Sequence, residues 1–305
     1  ESRTDRAVSS LSEPGSVFKI VTLSAALDQL ITGPNEIIHC QNGAIYIAGH
    51  RIRDHKAYGR LSVSQILAYS SDVGAIKVGL RLGAPKFYNY IRAFGFGQST
   101  GVDLPGESRG MLRRLGNWTP VSVGSISMGQ EVGVTPLQMI NAVSAIANGG
   151  LMVRPHVVRA LRHGTQLEET QEPQPRRVIQ ETTAATMRRM LEGVVLDGTG
   201  KRARLDGYTA AGKTGTAQKF DINTGHYFAH KLIASFVGFA PINSPAVTIL
   251  VQLDSPAGAH EGGAVAAPVF QRIAQQVLPY LDVPRDVPLS PETLRAGRAS
   301  GANQD

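Results

Sequence analysis

Ser16 and Lys19 stand three residues apart near the start of this chain, and Lys213-Thr214-Gly215-Thr216 stands far downstream. A serine hydroxyl is a weak nucleophile at neutral pH and needs a neighbouring base. Positions i and i+3 of a helix share a face, roughly 5–6 Å apart at Cβ. Lys19 is therefore placed to take the proton of Ser16, which is the chemistry of acyl transfer. Val17, Phe18, Ile20 and Val21 surround the pair with apolar side chains. Burial disfavours a lysine's charged form, and the uncharged form is the one that acts as a base. Gly15 permits close backbone approach just before the serine.

Two further groups complete a candidate site. Ser70-Ser71-Asp72 reads most simply as the cap of a helix. Its chemical reading is a second hydroxyl, Ser70, that relays a proton to a leaving group. Lys213 to Thr216 falls in a strand pattern, where a glycine marks close approach of another backbone or a ligand. A cation and two hydroxyls on a strand edge suit a peptide that adds as a strand and ends in a carboxylate. The plainer reading is a polar edge strand protected by a lysine.

Gly207-Tyr208-Thr209-Ala210-Ala211-Gly212-Lys213-Thr214 also matches the phosphate-binding P-loop pattern, and Val247–Asp254 resembles a hydrophobic strand ending in a magnesium-binding aspartate. A P-loop follows a buried strand and opens a helix. Here Gly198-Thr199-Gly200-Lys201-Arg202 precedes it, and Thr216–Phe220 followed by a turn succeeds it. Neither context fits, so a nucleotide is not the expected ligand.

These residues need elements to hold them. Apolar spacing predicts a helix from Pro14-Gly15-Ser16 to about Gln29. A hairpin is expected around Ile45–Ile52. Ser62-Val63-Ser64-Gln65 has capping-box spacing and starts a helix that reaches Tyr69-Ser70-Ser71-Asp72. A second helix follows to about Leu82, and a third covers Pro85–Phe94. Residues 95–134 are rich in Gly and Ser and read as loop. Thr135-Pro136-Leu137-Gln138 starts a helix that stops at Gly149-Gly150. Residues 163–176 read as a solvated excursion, and Glu181–Leu196 as a helix. Tyr208–Phe220, Leu232–Ala240 and Ala246–Leu253 then read as an antiparallel meander joined by turns at Asp221–Gly225 and Pro241–Pro245. Ala264–Leu281 closes as an amphipathic helix, and residues 283–305 as a loose tail. Helices followed by an antiparallel sheet indicate an α+β fold.

Composition narrows the classes. The 42% hydrophobic and 18% charged content is that of a folded globular chain, and 305 residues suffice for a sizeable core. No apolar run of about 20 residues is present to span a membrane. The net charge of +7 is spread over short runs such as Lys201-Arg202-Ala203-Arg204, without an aromatic-interleaved stripe. Nucleic-acid binding is not expected; an anionic envelope polymer or membrane surface suits the charge. Cys40 is the single cysteine, which excludes an internal disulfide and a cysteine-based metal site. His226 and His230 flank an expected turn without further ligands, so no metal is expected. Tyr227 and Phe228 are placed to line the groove or to pack, and Trp118 reads as core.

The three elements, in this order, resemble the transpeptidase domain of penicillin-binding proteins. Arg6-Ala7, Glu13-Pro14-Gly15-Ser16, Ser70–Gly74, Thr135-Pro136-Leu137-Gln138, Lys213–Gln218 and the run from Gly262 to Phe270 are similar to the monofunctional class B enzymes, the cell-division type above all. The resemblance covers about residues 3–282, and implies a transpeptidase domain over residues 1–282 that lacks its N-terminal strands. It implies a five-stranded antiparallel sheet flanked by helices, with an all-helical subdomain and no cofactor. It implies catalytic roles for Ser16, Lys19 and Ser70, and substrate contacts from Asp72, Lys213, Thr214, Gly215 and Thr216. The implied ligands are D-alanyl-D-alanine stem peptides of peptidoglycan and β-lactams. The implied partners are a peptidoglycan glycosyltransferase and division or elongation proteins, and the implied location is the inner membrane and periplasm of a bacterium.

The same fold also supports serine β-lactamases, β-lactam sensors, esterases and non-catalytic peptidoglycan-binding scaffolds. Two departures stand out. Asp72 replaces the family's asparagine; an ionised carboxylate only accepts hydrogen bonds, so pairing with Lys19 or Lys213 is expected. The family's first strands, its N-terminal module and its membrane anchor are expected outside these 305 residues.

Overall fold

The structure, a computed structural model, describes residues 4–170, 174–221, 226–291 and 295. It is α+β, with a helical layer and a three-stranded antiparallel sheet among the described residues. The Ser16 segment opens as a 3₁₀ turn, Gly15–Phe18, and continues as α1, Lys19–Asp28. All but the last residue of α1 are buried, which makes it the axis of the main core.

A hairpin of β1, Ala44–Ile47, and β2, His50–Arg53, leads to α2, Val63–Tyr69. The expected capping box starts α2: Ser62 Oγ accepts from Gln65 N–H, and Gln65 Oε1 accepts from Ser62 N–H. Helices α3, Asp72–Leu82, and α4, Ala84–Ala93, follow. Residues 95–134 are not all loop. They contain α5, Ser122–Ser127, and the short pair Met111–Leu112 with Val132–Gly133. The sequence hides α5 because Ser and Gly dominate it. Its serines find local partners: Ser127 Oγ donates to Val123 O, and Ser122 Oγ to Glu131.

Thr135 caps α6, Pro136–Ala147, through a second capping box. The excursion expected at 163–176 includes part of an exposed hairpin, β3 Ala160–His163 and β4 Gln166–Glu169. Helix α7 spans Glu181–Leu196. The meander then forms as β5, Ala211–Asp221, β6, His226–Ala240, and β7, Val247–Asp254, in the order β5–β6–β7. Most of the expected turn Asp221–Gly225 lies outside the described residues. The closing helix is two pieces, α8 Gly262–Val265 and α9 Ala267–Tyr280. Pro268 at the start of α9 has no N–H to continue the first piece.

The sheet separates two apolar clusters, as the period of two along a strand requires. Val237 and Phe239 face the helical core, while Phe236 and Ala240 face α9. Phe236 packs on Phe270 at 4.8 Å between ring centroids. Trp118 meets Phe87 and Tyr88 edge-on, a packing role. The tail, read as loose from residue 283, makes contacts as far as Ser290: Asp286 accepts from Thr209 N–H, and Ser290 N–H donates to Asp206. Of the five strands that the resemblance implies, three are present in this sheet among the described residues.

Candidate active site

Lys19 is the centre of the site. Its Nζ donates to Ser16 Oγ at 2.9 Å, to Ser70 O at 2.7 Å and to Ser70 Oγ at 3.0 Å, and pairs with Asp72 Oδ1 at 2.7 Å. The Ser16–Lys19 contact follows from the 3₁₀ turn, in which i and i+3 side chains eclipse. Beneath it, Phe18 is fully buried against Phe96 at 5.1 Å. That packing anchors the turn and directs Lys19 toward α2.

The turn is also seated from outside. Gly15 adopts φ +52° and donates its N–H to Gly129 O at 3.1 Å. Gly129 adopts φ +85°, and a Cβ there would collide with the Gly15 carbonyl. Gly129 was not singled out from the sequence. Gly215 plays the matching part on β5: an added Cβ would meet Ser235 Oγ and Val17. The close approach expected of that strand glycine is thus to the turn that carries Ser16.

Ser70 terminates α2 in the left-handed region, at φ 62° and ψ 39°. Such backbone is uncommon for a residue with a Cβ and clusters at functional sites. It turns the hydroxyl toward both lysines. Ser71 caps α3 by accepting from Gly74 N–H. Asp54 completes the junction: it accepts from Ser71 Oγ at 2.8 Å, Asp72 N–H at 2.5 Å and Val73 N–H at 3.0 Å. Nothing in the sequence points to Asp54, because a carboxylate just past a hairpin strand has no local signature. Its negative charge at the first turn of α3 is also favourable to the helix dipole.

Lys213 approaches from β5. Its Nζ donates to the same Ser70 Oγ at 2.9 Å and to Thr214 O at 3.0 Å. Thr216 is exposed, and its Oγ1 accepts from Gly262 N–H at 3.2 Å. The structure therefore brings Ser16, Lys19, Ser70, Asp72 and Lys213 into one hydrogen-bonded cluster, with Thr214, Gly215 and Thr216 on the adjoining strand. Lys213 lies in an antiparallel strand and no helix follows it, so the phosphate-loop geometry is absent.

Lys213 is fully buried. That burial, and secondarily the Lys19 charge, hold its amine well below the ordinary lysine range, while Asp72 opposes the shift. A buried lysine depressed in the folded state and ordinary when unfolded binds fewer protons folded than unfolded. Stability contributed here rises with pH above the depressed value and levels off near about 10.4. Replacing Lys213 by Met is expected to flatten that slope. Urea midpoints of both proteins across this range check it, and an unchanged slope would refute it.

Comparison with known proteins places this geometry. The profile of the penicillin binding protein transpeptidase domain matches residues 2–275. Stage V sporulation protein D of Bacillus subtilis is 39% identical over 277 residues, covering 89% of this chain and 43% of its own length. A probable peptidoglycan D,D-transpeptidase, PenA of Neisseria meningitidis, is 34% identical, covering 95% of this chain and 48% of its own. The crystal structure of penicillin-binding protein 3 from Mycobacterium tuberculosis with aztreonam superposes with a TM-score of 0.86 at 36% identity. It covers 93% of this chain and 66% of its own. This chain spans about half the length of these curated relatives. With the motifs, the fold and the match over residues 2–275 in agreement, the chain belongs to the transpeptidase-domain family of penicillin-binding proteins, among relatives of the class B kind.

Proposed function

We propose that this chain is a peptidoglycan D,D-transpeptidase domain that works through an acyl-serine intermediate. The observation that supports this best is the shared hydroxyl: Ser70 Oγ lies 3.0 Å from Lys19 Nζ and 2.9 Å from Lys213 Nζ, while Lys19 reaches Ser16. In this reading unprotonated Lys19 takes the Ser16 proton as Ser16 Oγ bonds to the penultimate carbonyl carbon. Backbone N–H groups of Ser16 and Thr216 receive the oxyanion, donors each worth about 3–4 kcal/mol where measured. The C–N bond to the terminal D-alanine breaks, and the proton passes through Ser70 to the departing amine. Lys213, Thr214 and Thr216 hold the terminal carboxylate, with Gly215 letting the strand seat against the nucleophile turn. An amine from a second stem peptide then bonds to the ester carbonyl carbon, the C–O bond to Ser16 breaks, and the amine's proton returns to Ser16 Oγ, leaving a new peptide cross-link.

β-Lactams acylate Ser16 by the same first step. A solved relative in complex with aztreonam supports that expectation. The reading implies an extracytoplasmic site on a bacterial envelope, and a glycosyltransferase and division or elongation proteins as partners. No helix among the described residues is long and apolar enough to cross a membrane.

Incubation with a fluorescent penicillin followed by intact-mass measurement tests the proposal. A long-lived one-to-one adduct that maps to Ser16 is expected. Rapid turnover of the penicillin would instead indicate a hydrolase, and folded protein without adduct would indicate a scaffold.

A further inference from the structure

Thr199 lies in the turn after α7, outside every motif of the site, yet it joins two of them. Its Oγ1 is 2.6 Å from Thr214 Oγ1, and its backbone N–H donates to Ala68 O at 3.1 Å, two residues before Ser70. It is also clamped from above. A Cβ on Gly263 would collide with the Thr199 carbonyl, so α8 rests directly on it. Thr199 is thus held by the helix that presents Ser70 while its hydroxyl holds the strand that presents Lys213.

The hydroxyl count gives this a chemical meaning. Two threonine hydroxyls carry two protons and four lone pairs. Their mutual bond uses one proton. Lys213 Nζ supplies a further, longer donor to Thr214 Oγ1 at 3.4 Å. With Thr199 donating to Thr214, the Thr214 proton is left beside the Lys213 amine, where an incoming anion can take it. Thr214 is almost fully buried, so its rotamer is set by its neighbours, Thr199 first among them.

We infer that Thr199 is a positioning residue for the ligand's carboxylate, acting through Thr214. The inference rests on the acyl-transfer reading above. It concerns recognition rather than bond making, since none of the hydrogen bonds that hold Ser16 or Lys19 involves the Thr199 hydroxyl. Losing a hydrogen bond to a charged group weakens binding by about tenfold or somewhat more.

The test separates binding from acylation. Acylation rates of the wild-type protein are measured against concentration with benzylpenicillin and with its methyl ester. Thr199→Val, close in shape but without the hydroxyl, should raise the half-saturating benzylpenicillin concentration about tenfold. Its limiting rate should stay within about twofold of wild type, because that rate reports the Ser16–Lys19–Ser70 chemistry. With the ester, which lacks the anion, the variant and wild type should match. Thr199→Ser keeps the hydroxyl and should restore wild-type behaviour. Should Thr199→Val fail to fold, Thr199→Ala is read in the same way. Wild-type half-saturation in the valine variant, or an equal loss with the ester, overturns the assignment of Thr199 alone. Absence of any adduct on wild-type Ser16 overturns the acyl-transfer reading and this inference with it.

Discussion

Ser16→Ala is expected to abolish acylation by penicillin, a loss on the order of 10⁴-fold or more that takes labelling below detection. The other serine hydroxyl that Lys19 contacts, Ser70, does not substitute for it. Ser70 Oγ is held between the Lys19 and Lys213 side-chain nitrogens at 3.0 and 2.9 Å and sits on a left-handed residue at a helix end. Ser16 alone stands on the 3₁₀ turn that brings it to Lys19 while leaving it partly exposed. Because Ser16 is not part of the packed core, the alanine variant should fold. Its melting temperature should stay near that of the wild type, within the small range usual for surface substitutions. Gel fluorescence after incubation with labelled penicillin, with intact mass on the same samples, reads the result. A persistent adduct in the alanine variant would move the nucleophile elsewhere and remove the basis of the proposed mechanism.

Lys19→Met is expected to slow acylation by about 10²–10⁴-fold, the usual contribution of a positioned general base. Methionine preserves most of the buried volume, but it removes the partner of Asp72, which is 2.7 Å away. A slow single variant thus mixes two causes: a missing base and a carboxylate without its counter-charge. The double variant Lys19→Met with Asp72→Asn separates them, since it removes both charges together. If the missing base is the cause, both variants acylate slowly while the double variant regains thermal stability. If acylation recovers in the double variant, Lys19 is not the base and its role is to neutralise Asp72. Stopped-flow or quench measurement of the acylation rate, beside thermal unfolding of each protein, makes the distinction.

Asp72 stands where the family resemblance leads one to expect asparagine. The carboxylate pairs with Lys19 rather than with Lys213, yet it still opposes the depression of the Lys213 amine. Its backbone N–H is meanwhile held by Asp54. Two carboxylates and two lysines therefore share one junction, with Ser70 between the lysines.

Much of this protein was legible in its order of residues, wherever the governing physics is local. The capping boxes at Ser62 and Thr135 set the starts of α2 and α6, because they satisfy helix-end N–H groups within four residues. Alternation of apolar residues marked the three late strands, because side chains on a strand point to alternate faces. The Ser16–Lys19 contact was also readable, since three residues along a helical turn fix its reach. Helix α5 escaped because its buried serines are satisfied by hydrogen bonds rather than by an apolar stripe.

The pairing of one motif with another was readable only by resemblance. Ser70 lies 51 residues from Lys19 and 143 from Lys213, and no local rule relates them. Asp54, Gly129 and Thr199 had no signal at all. Each acts by meeting something distant: a helix start, a glycine carbonyl, a threonine hydroxyl. The sequence by itself determined which side chains had the chemistry and which elements would carry them. Only the tertiary structure decided that two lysines meet at one serine, that Asp72 turns to Lys19, and that Thr199 supports Thr214. Those contacts are set by how packed helices and a strand edge converge, and the spacing of residues along a chain does not contain that convergence.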